Sequence, residues 1–197
     1  MRHSIIKPTL VLVLVCVVVT SALAFTNSLT KDTIDERLRL EAENARKEVL
    51  SSANDFKALD GILDAVGKNE SLMHVKEVFK AYSSGTPAGY VFFVLVKGYG
   101  GDMSLTVGIN SEGEISGVSM GENNETPGLG SKANEEPFKS QLVNIRPEEK
   151  LKVVKANKSK PEEIDAISGA TITSKAVVTG VQSALDMWNE LKNREVE

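Results

Sequence analysis

The opening of this chain constrains it most. Thr9–Phe25 carries no charge, and Leu10–Val19 within it is apolar without a break. A helix needs roughly 17–25 such residues to cross the hydrocarbon of a bilayer, so the run reads as a single transmembrane anchor over residues 9–25. Pro8 stands where a first-turn proline is tolerated. Arg2 and Lys7 precede the run, whereas the far side (Lys31, Asp32, Asp35, Glu36) is mixed and acidic. The basic flank, residues 1–8, is expected to stay in the cytoplasm and to send the rest of the chain to the other side of the membrane. The rival reading is a cleaved signal peptide, because Ala22-Leu23-Ala24 has the small-x-small form of a cleavage site. Cys16 sits mid-run between valines and does not resemble a lipoprotein cysteine.

The remainder of the 197 residues is long enough for one domain with a real core. The net charge of −4 is spread along the chain, aromatics make up 5%, and no basic stripe is interleaved with them. Nucleic-acid binding is therefore not expected. Cys16 is the one cysteine, so neither a disulfide nor a zinc or iron–sulfur cluster can be built within the chain. The two histidines, His3 and His74, are far apart and suggest no metal site. Redox chemistry, if present, has to come from an organic cofactor.

Periodicity places the elements. Ile34, Leu38, Ala42, Ala45 and Val49 recur at helical spacing between charges, which predicts an amphipathic helix over 29–50. Residues 26–70 as a whole read as a helical tether, with Gly61 and Gly67 as breaks, ahead of a domain over 71–197. Ser83–Pro87 reads as a turn, and Val91–Val96 as a buried strand within 89–97. Met103, Leu105, Val107 and Ile109 alternate with small or polar residues, which predicts a half-buried strand. Asn110–Gly113 turns the chain so that Glu114–Met120 pairs back as a hairpin. Residues 136–144 look helical and 151–155 form a short strand candidate. From Ser174 onward, Val177, Val181, Ala184, Leu185, Trp188 and Leu191 make one apolar stripe on a long helix. The fold class is α+β: an antiparallel sheet flanked by helices and preceded by the membrane helix.

Three short segments could carry chemistry. Asp165-Ala166-Ile167-Ser168-Gly169-Ala170-Thr171-Ile172-Thr173-Ser174 puts four hydroxyls and a glycine at a helix start, where free N–H groups and the helix dipole suit an anion. Read alone, it is as readily a capped helix, with Thr173 or Ser174 as the cap. A hydrolytic nucleophile there would need a base, and His74 has no triad context around it. Glu125-Thr126-Pro127-Gly128-Leu129-Gly130 is a tight loop whose backbone could approach a ligand, with Leu129 available to cover a flat ring. Lys97-Gly98-Tyr99-Gly100-Gly101-Asp102 joins two strands and lacks the spacing of a dinucleotide fingerprint.

Taken together and in this order, the segments resemble the FMN-binding domain family. Asp165-x-x-Ser168-Gly169-Ala170-Thr171 is similar to its flavinylation motif, and Glu125–Gly130 and Gly98–Gly101 are similar to its other signatures. Within that family the chain looks most like the G subunits of Rnf ion-translocating ferredoxin:NAD oxidoreductases. The related C subunits of sodium-pumping NADH:quinone reductases are the near alternative, and a membrane-tethered binding module without redox function is the alternative of another class. The resemblance implies FMN esterified through its phosphate to Thr171 by a separate flavin transferase. It also implies an electron-relay role among the other membrane and soluble subunits of the complex. Asp165, Ser168, Gly169, Ala170, Thr173 and Ser174 would surround the phosphate. Tyr99, Gly100, Gly101, Glu125, Thr126, Gly128, Leu129 and Gly130 would border the ring.

Overall fold

The computed structural model describes residues 2–66 and 70–196, so the expected break at Gly67 lies outside the described residues. The chain divides into two units, Met1–Glu43 and Asn44–Glu197.

The described residues of the first unit are all helical. The unit belongs to α1, which runs Arg2–Val49 and includes the apolar stretch long enough to cross a membrane. Its Leu and Val side chains are exposed, as a lipid-facing helix requires. Its hydroxyls are satisfied within the helix: Thr20 donates to the Cys16 carbonyl at 2.7 Å and Thr26 to the Ala22 carbonyl at 3.0 Å. A threonine bonded in this way carries no unmet donor into an apolar medium. Pro8 lies inside the helix rather than in its first turn, because the helix already begins at Arg2. It costs the helix one backbone hydrogen bond there.

The second unit is built on a five-stranded antiparallel meander in the order β1-β2-β3-β4-β5. The strands are β1 (Asp55–Ala58), β2 (Val75–Ser83), β3 (Thr86–Lys97), β4 (Asp102–Asn110) and β5 (Ile115–Met120). The tether expected over 26–70 therefore stops being a helix at Val49, and residues 55–58 join the sheet by pairing with Phe79–Tyr82. The β2–β3 hairpin closes through Ser84 and Gly85, both at positive φ (48° and 84°), the geometry that matches strand twist in a two-residue turn. Asn110 closes β4–β5 by accepting the Glu112 and Glu114 N–H groups on its side-chain oxygen.

The long helix α4 (Thr171–Val196) covers one face of the sheet. Its stripe Val177, Val181, Ala184, Leu185, Trp188 and Leu191 is buried, against Phe92, Val94, Leu105 and Val107 among others. Gly180 brings α4 close to the sheet: a Cβ there would stand 2.6 Å from Leu105 Cδ1.

The opposite face is closed by the end of α1 and the turn after it. Val49, Leu50 and Ala53 pack with Ala81 and Val91 into a second small core. Gly108 and Gly117 face each other across β4 and β5, and a Cβ on either would strike the backbone of Val49. The Ser116 hydroxyl donates to the Val49 carbonyl at 2.6 Å. This second cover corrects the expectation of a half-buried β4: Thr106 and Gly108, on the side expected to face solvent, are buried.

One other expectation changes. The helix expected over 136–144 is only α3 (Glu136–Lys139), preceded by a 3-10 turn over Gly130–Asn134. After α3 the chain runs on in tight turns, with the Gln141 N–H on the Phe138 carbonyl and the Leu142 N–H on the Lys139 carbonyl, then reverses at Asn144 with φ 59° and bridges from Ile145 to Ile115 of β5. The strand expected over 151–155 is β6 (Lys152–Val154), and it pairs in parallel with β7 (Glu163–Asp165) as a separate two-stranded sheet. A further short helix, α2 (Ile62–Val66), follows Gly61, which has φ 76°.

Candidate functional site

The three sequence segments converge on one cleft. It has a volume of about 480 Å3 and is lined by Tyr99, Glu125, Thr126, Leu129, Gly130, Gly169, Ala170, Thr171, Ile172 and Thr173. Each wall comes from a different element: the β3–β4 turn, the loop after β5, and the start of α4.

The helix wall begins earlier than expected. α4 starts at Thr171, so Thr173 and Ser174 lie inside its first turn rather than capping it. Ser174 folds back instead. Its hydroxyl donates to the Ala170 carbonyl at 2.9 Å and accepts the Ile167 N–H at 3.0 Å. That pins the Ile167–Ala170 turn to the helix, with Gly169 at φ 77°. The first-turn N–H groups of a helix have no intrahelical acceptor, so the start of α4 presents donors and the positive end of its dipole to the cleft.

The other two walls are tied to the helix by one carboxylate. Glu125 is 8% exposed. Its Oε1 accepts the Tyr99 N–H at 2.8 Å and the Gly100 N–H at 3.2 Å, and its Oε2 accepts the Thr173 hydroxyl at 2.8 Å. Glycines make room for it: a Cβ on Gly98 or Gly130 would strike the carboxylate, and one on Gly100 would strike the Asn124 carbonyl. The loop after β5 folds on itself, with Thr126 O accepting from the Leu129 and Ser131 N–H groups and Gly128 turning at φ 76°. Tyr99, Leu129 and Ile172 remain exposed around the mouth and supply an apolar rim.

The four motif hydroxyls are not equivalent. Thr173 and Ser174 are buried and hydrogen-bonded. Ser168 and Thr171 are exposed, and of these two Thr171 lines the cleft. Asp165 does not reach the cleft. Its carboxylate accepts the Lys158 N–H at 2.9 Å and its backbone exchanges hydrogen bonds with the Gln141 side chain, on the side of a neighbouring cavity. Gly100, Gly101 and Gly128 shape the turns without lining the cleft. Ile172, which also lines the cleft, does not stand out in the sequence. An apolar residue between two threonines at a helix start is the available signal for it. A larger cleft of about 740 Å3 lies between the Arg146–Lys150 segment and Trp188 and holds none of the motif residues.

Known proteins resemble this chain along most of its length. The sequence model of the FMN-binding domain matches residues 98–186, and that of the RnfG N-terminal region matches residues 1–49. The chain is 37% identical over 196 residues to the G subunit of the Na(+)-translocating ferredoxin:NAD(+) oxidoreductase complex of Acetobacterium woodii, covering 95% of this chain and 93% of that one. It is 33% identical to the G subunit of the ion-translocating oxidoreductase complex of Methanosarcina acetivorans, over 92% and 93% of the two chains. Among solved structures, the C subunit of the Na(+)-translocating NADH-quinone reductase from Parabacteroides distasonis superposes with a TM-score of 0.50 at 28% identity, over 58% of this chain and 61% of that one. An N-terminal helix long and apolar enough to cross a membrane, a match to the FMN-binding domain over residues 98–186, and identity along nearly the whole length make this chain a member of the G-subunit family of ion-translocating oxidoreductase complexes.

Proposed function

We propose that this chain carries FMN, joined through its phosphate to the Thr171 oxygen, and serves as the electron-relay subunit of a membrane-bound ion-translocating ferredoxin:NAD oxidoreductase. The observation that carries the attachment is the sorting of hydroxyls: Thr171 is the motif hydroxyl that is both exposed and on the cleft. Formation of the ester would join the FMN phosphorus to Thr171 Oγ1 while the anhydride bond from that phosphorus to a second phosphate of the activated flavin donor breaks; the departing phosphate keeps the bonding pair, the hydroxyl proton passes to solvent, and a flavin transferase brings the donor. The N–H groups at the start of α4 hold the anionic ester. Tyr99, Leu129 and Ile172 offer apolar surface to the flat ring. When bound, FMN supplies electron-transfer chemistry that none of the twenty side chains provides.

Membership of the family supports placement in the membrane beside other subunits of such a complex. Arg2 and Lys7 favour an N-terminus in the cytoplasm and a flavin domain on the other side.

The test is co-expression of the full chain with its flavin transferase, denaturing electrophoresis and viewing under ultraviolet light. The wild-type band is expected to fluoresce and the Thr171→Ala band to stay dark. A fluorescent Thr171→Ala band would overturn the assignment.

A further inference from the structure

We infer that Glu125 is a positioning residue. Its buried carboxylate holds the cleft walls together and, as a fixed negative charge beside the cleft, lowers the reduction potential of the flavin there. The inference rests on the FMN reading above and deepens it.

The position of Glu125 is unusual for its residue type. Glutamate is rarely buried without a partner, yet Glu125 is 8% exposed and lines the cleft. The ion pairs among the described residues use Glu43, Glu48, Glu136, Glu149 and Glu190, not Glu125. It is instead an acceptor three times over, from two backbone N–H groups and one hydroxyl. Those donors sit 25, 26 and 48 residues away in sequence, so one side chain fixes the Tyr99 turn against the first turn of α4. Three of the roughly four acceptor positions of its carboxylate are taken by the protein, so its main engagement is with the walls. It acts by holding its neighbours in place and through its charge.

Dipolar donors offset a carboxylate without cancelling it, and water screens it little at this exposure. A negative charge held beside the cleft opposes electron gain by any group bound there. Replacing Glu125 by Gln preserves shape. The amide oxygen keeps the two backbone donors, and the amide nitrogen donates to the Thr173 oxygen, so the walls stay joined while the charge is lost. Replacing Thr173 by Val does the reverse. It removes one donor from Oε2 and leaves the charge in place, less compensated.

The experiment is reductive titration of the flavinylated full chain with dithionite against a reference dye. Wild type, Glu125→Gln and Thr173→Val are compared after each band is shown to fluoresce on a denaturing gel. The expected result is a midpoint potential shifted upward in Glu125→Gln and downward in Thr173→Val. A role limited to holding the walls would leave Glu125→Gln unmoved, because its walls stay joined. Shifts of the same sign, or an unmoved Glu125→Gln, would overturn the proposal. If Glu125→Gln does not fold, Thr173→Val decides alone: a potential unchanged or raised overturns it. Absence of fluorescence from the wild-type band would sink the flavin reading itself, and the gel reports that before any titration begins.

Discussion

The Thr173 hydroxyl donates to Glu125 Oε2 at 2.8 Å, across 48 residues of sequence and inside the protein. The same carboxylate receives the Tyr99 and Gly100 amides. The cleft is therefore a joint between three loops fastened at a single side chain, and the exposed Thr171 stands two residues from the fastening.

The Gly108–Gly117 notch predicts a mutational sensitivity far from the cleft. In Gly108→Ala the new methyl lands on the Val49 carbonyl oxygen, which the Ser116 hydroxyl already engages. Backbone has little room to yield, and overpacking of this kind costs about 1–3 kcal/mol. The melting temperature is expected to fall, and limited proteolysis between residues 44 and 54 to accelerate. Unchanged cleavage would mean that Val49 does not need the notch.

Ser174→Ala removes the lock on the turn that leads into α4. The Ile167 N–H loses its acceptor, whereas the Ala170 carbonyl keeps the backbone N–H of residue 174. Leaving one such donor unmet costs about 1–3 kcal/mol. A lower melting temperature and faster hydrogen exchange at the Ile167 amide are expected, while the band still fluoresces because Thr171 is intact. Wild-type exchange at that amide would refute the lock.

The flavinylated chain on its own is expected not to oxidise NADH. The Gly98–Gly101 segment is a hairpin turn closed by Gly98 N–H on the Gly101 carbonyl at 2.8 Å, and a strand follows it. A dinucleotide site of the G-x-G-x-x-G kind needs a helix there. Anaerobic mixing with excess NADH should leave the flavin absorbance unchanged, while dithionite bleaches it. Bleaching by NADH within normal turnover times would make the chain a dehydrogenase in its own right.

The apolar helix is expected to remain on the mature protein. Sequencing the N-terminus of membrane-extracted chain should find residues before Phe25. A mature chain starting at Phe25 would instead identify the segment as a signal peptide.

The strongest periodicities are legible in the sequence. The apolar run of β3 and the stripe of α4 follow from burial against each other, and both stand where the pattern puts them. The start of α4 is hidden because Thr171, Ile172 and Thr173 are all β-branched and disfavour helix. Tertiary bonds from Thr173 to Glu125 and from Ser174 to the preceding turn outweigh that preference. β1 is hidden because it is only four residues long, and β2 because Lys76 and Glu77 interrupt its alternation and it carries register shifts besides. At the site, the motif order brings out the segments, but sequence alone makes neighbours of Asp165 and Thr171. The fold turns Asp165 toward Lys158 and Gln141, on another side of the same turn.

One further consequence belongs to the paired glycines. By seating Val49 and Leu50 on the sheet, they make the last turn of α1 part of the globular core. Trimming the protein to a soluble version therefore has a natural limit. A fragment beginning at residue 44 keeps the cover, whereas one beginning at the first strand would bare Ala81 and Val91, with Phe79 and Ala88 beside them. Such a fragment would present a sticky sheet face to its own copies. This seat, and not the end of the apolar run, sets where the domain begins.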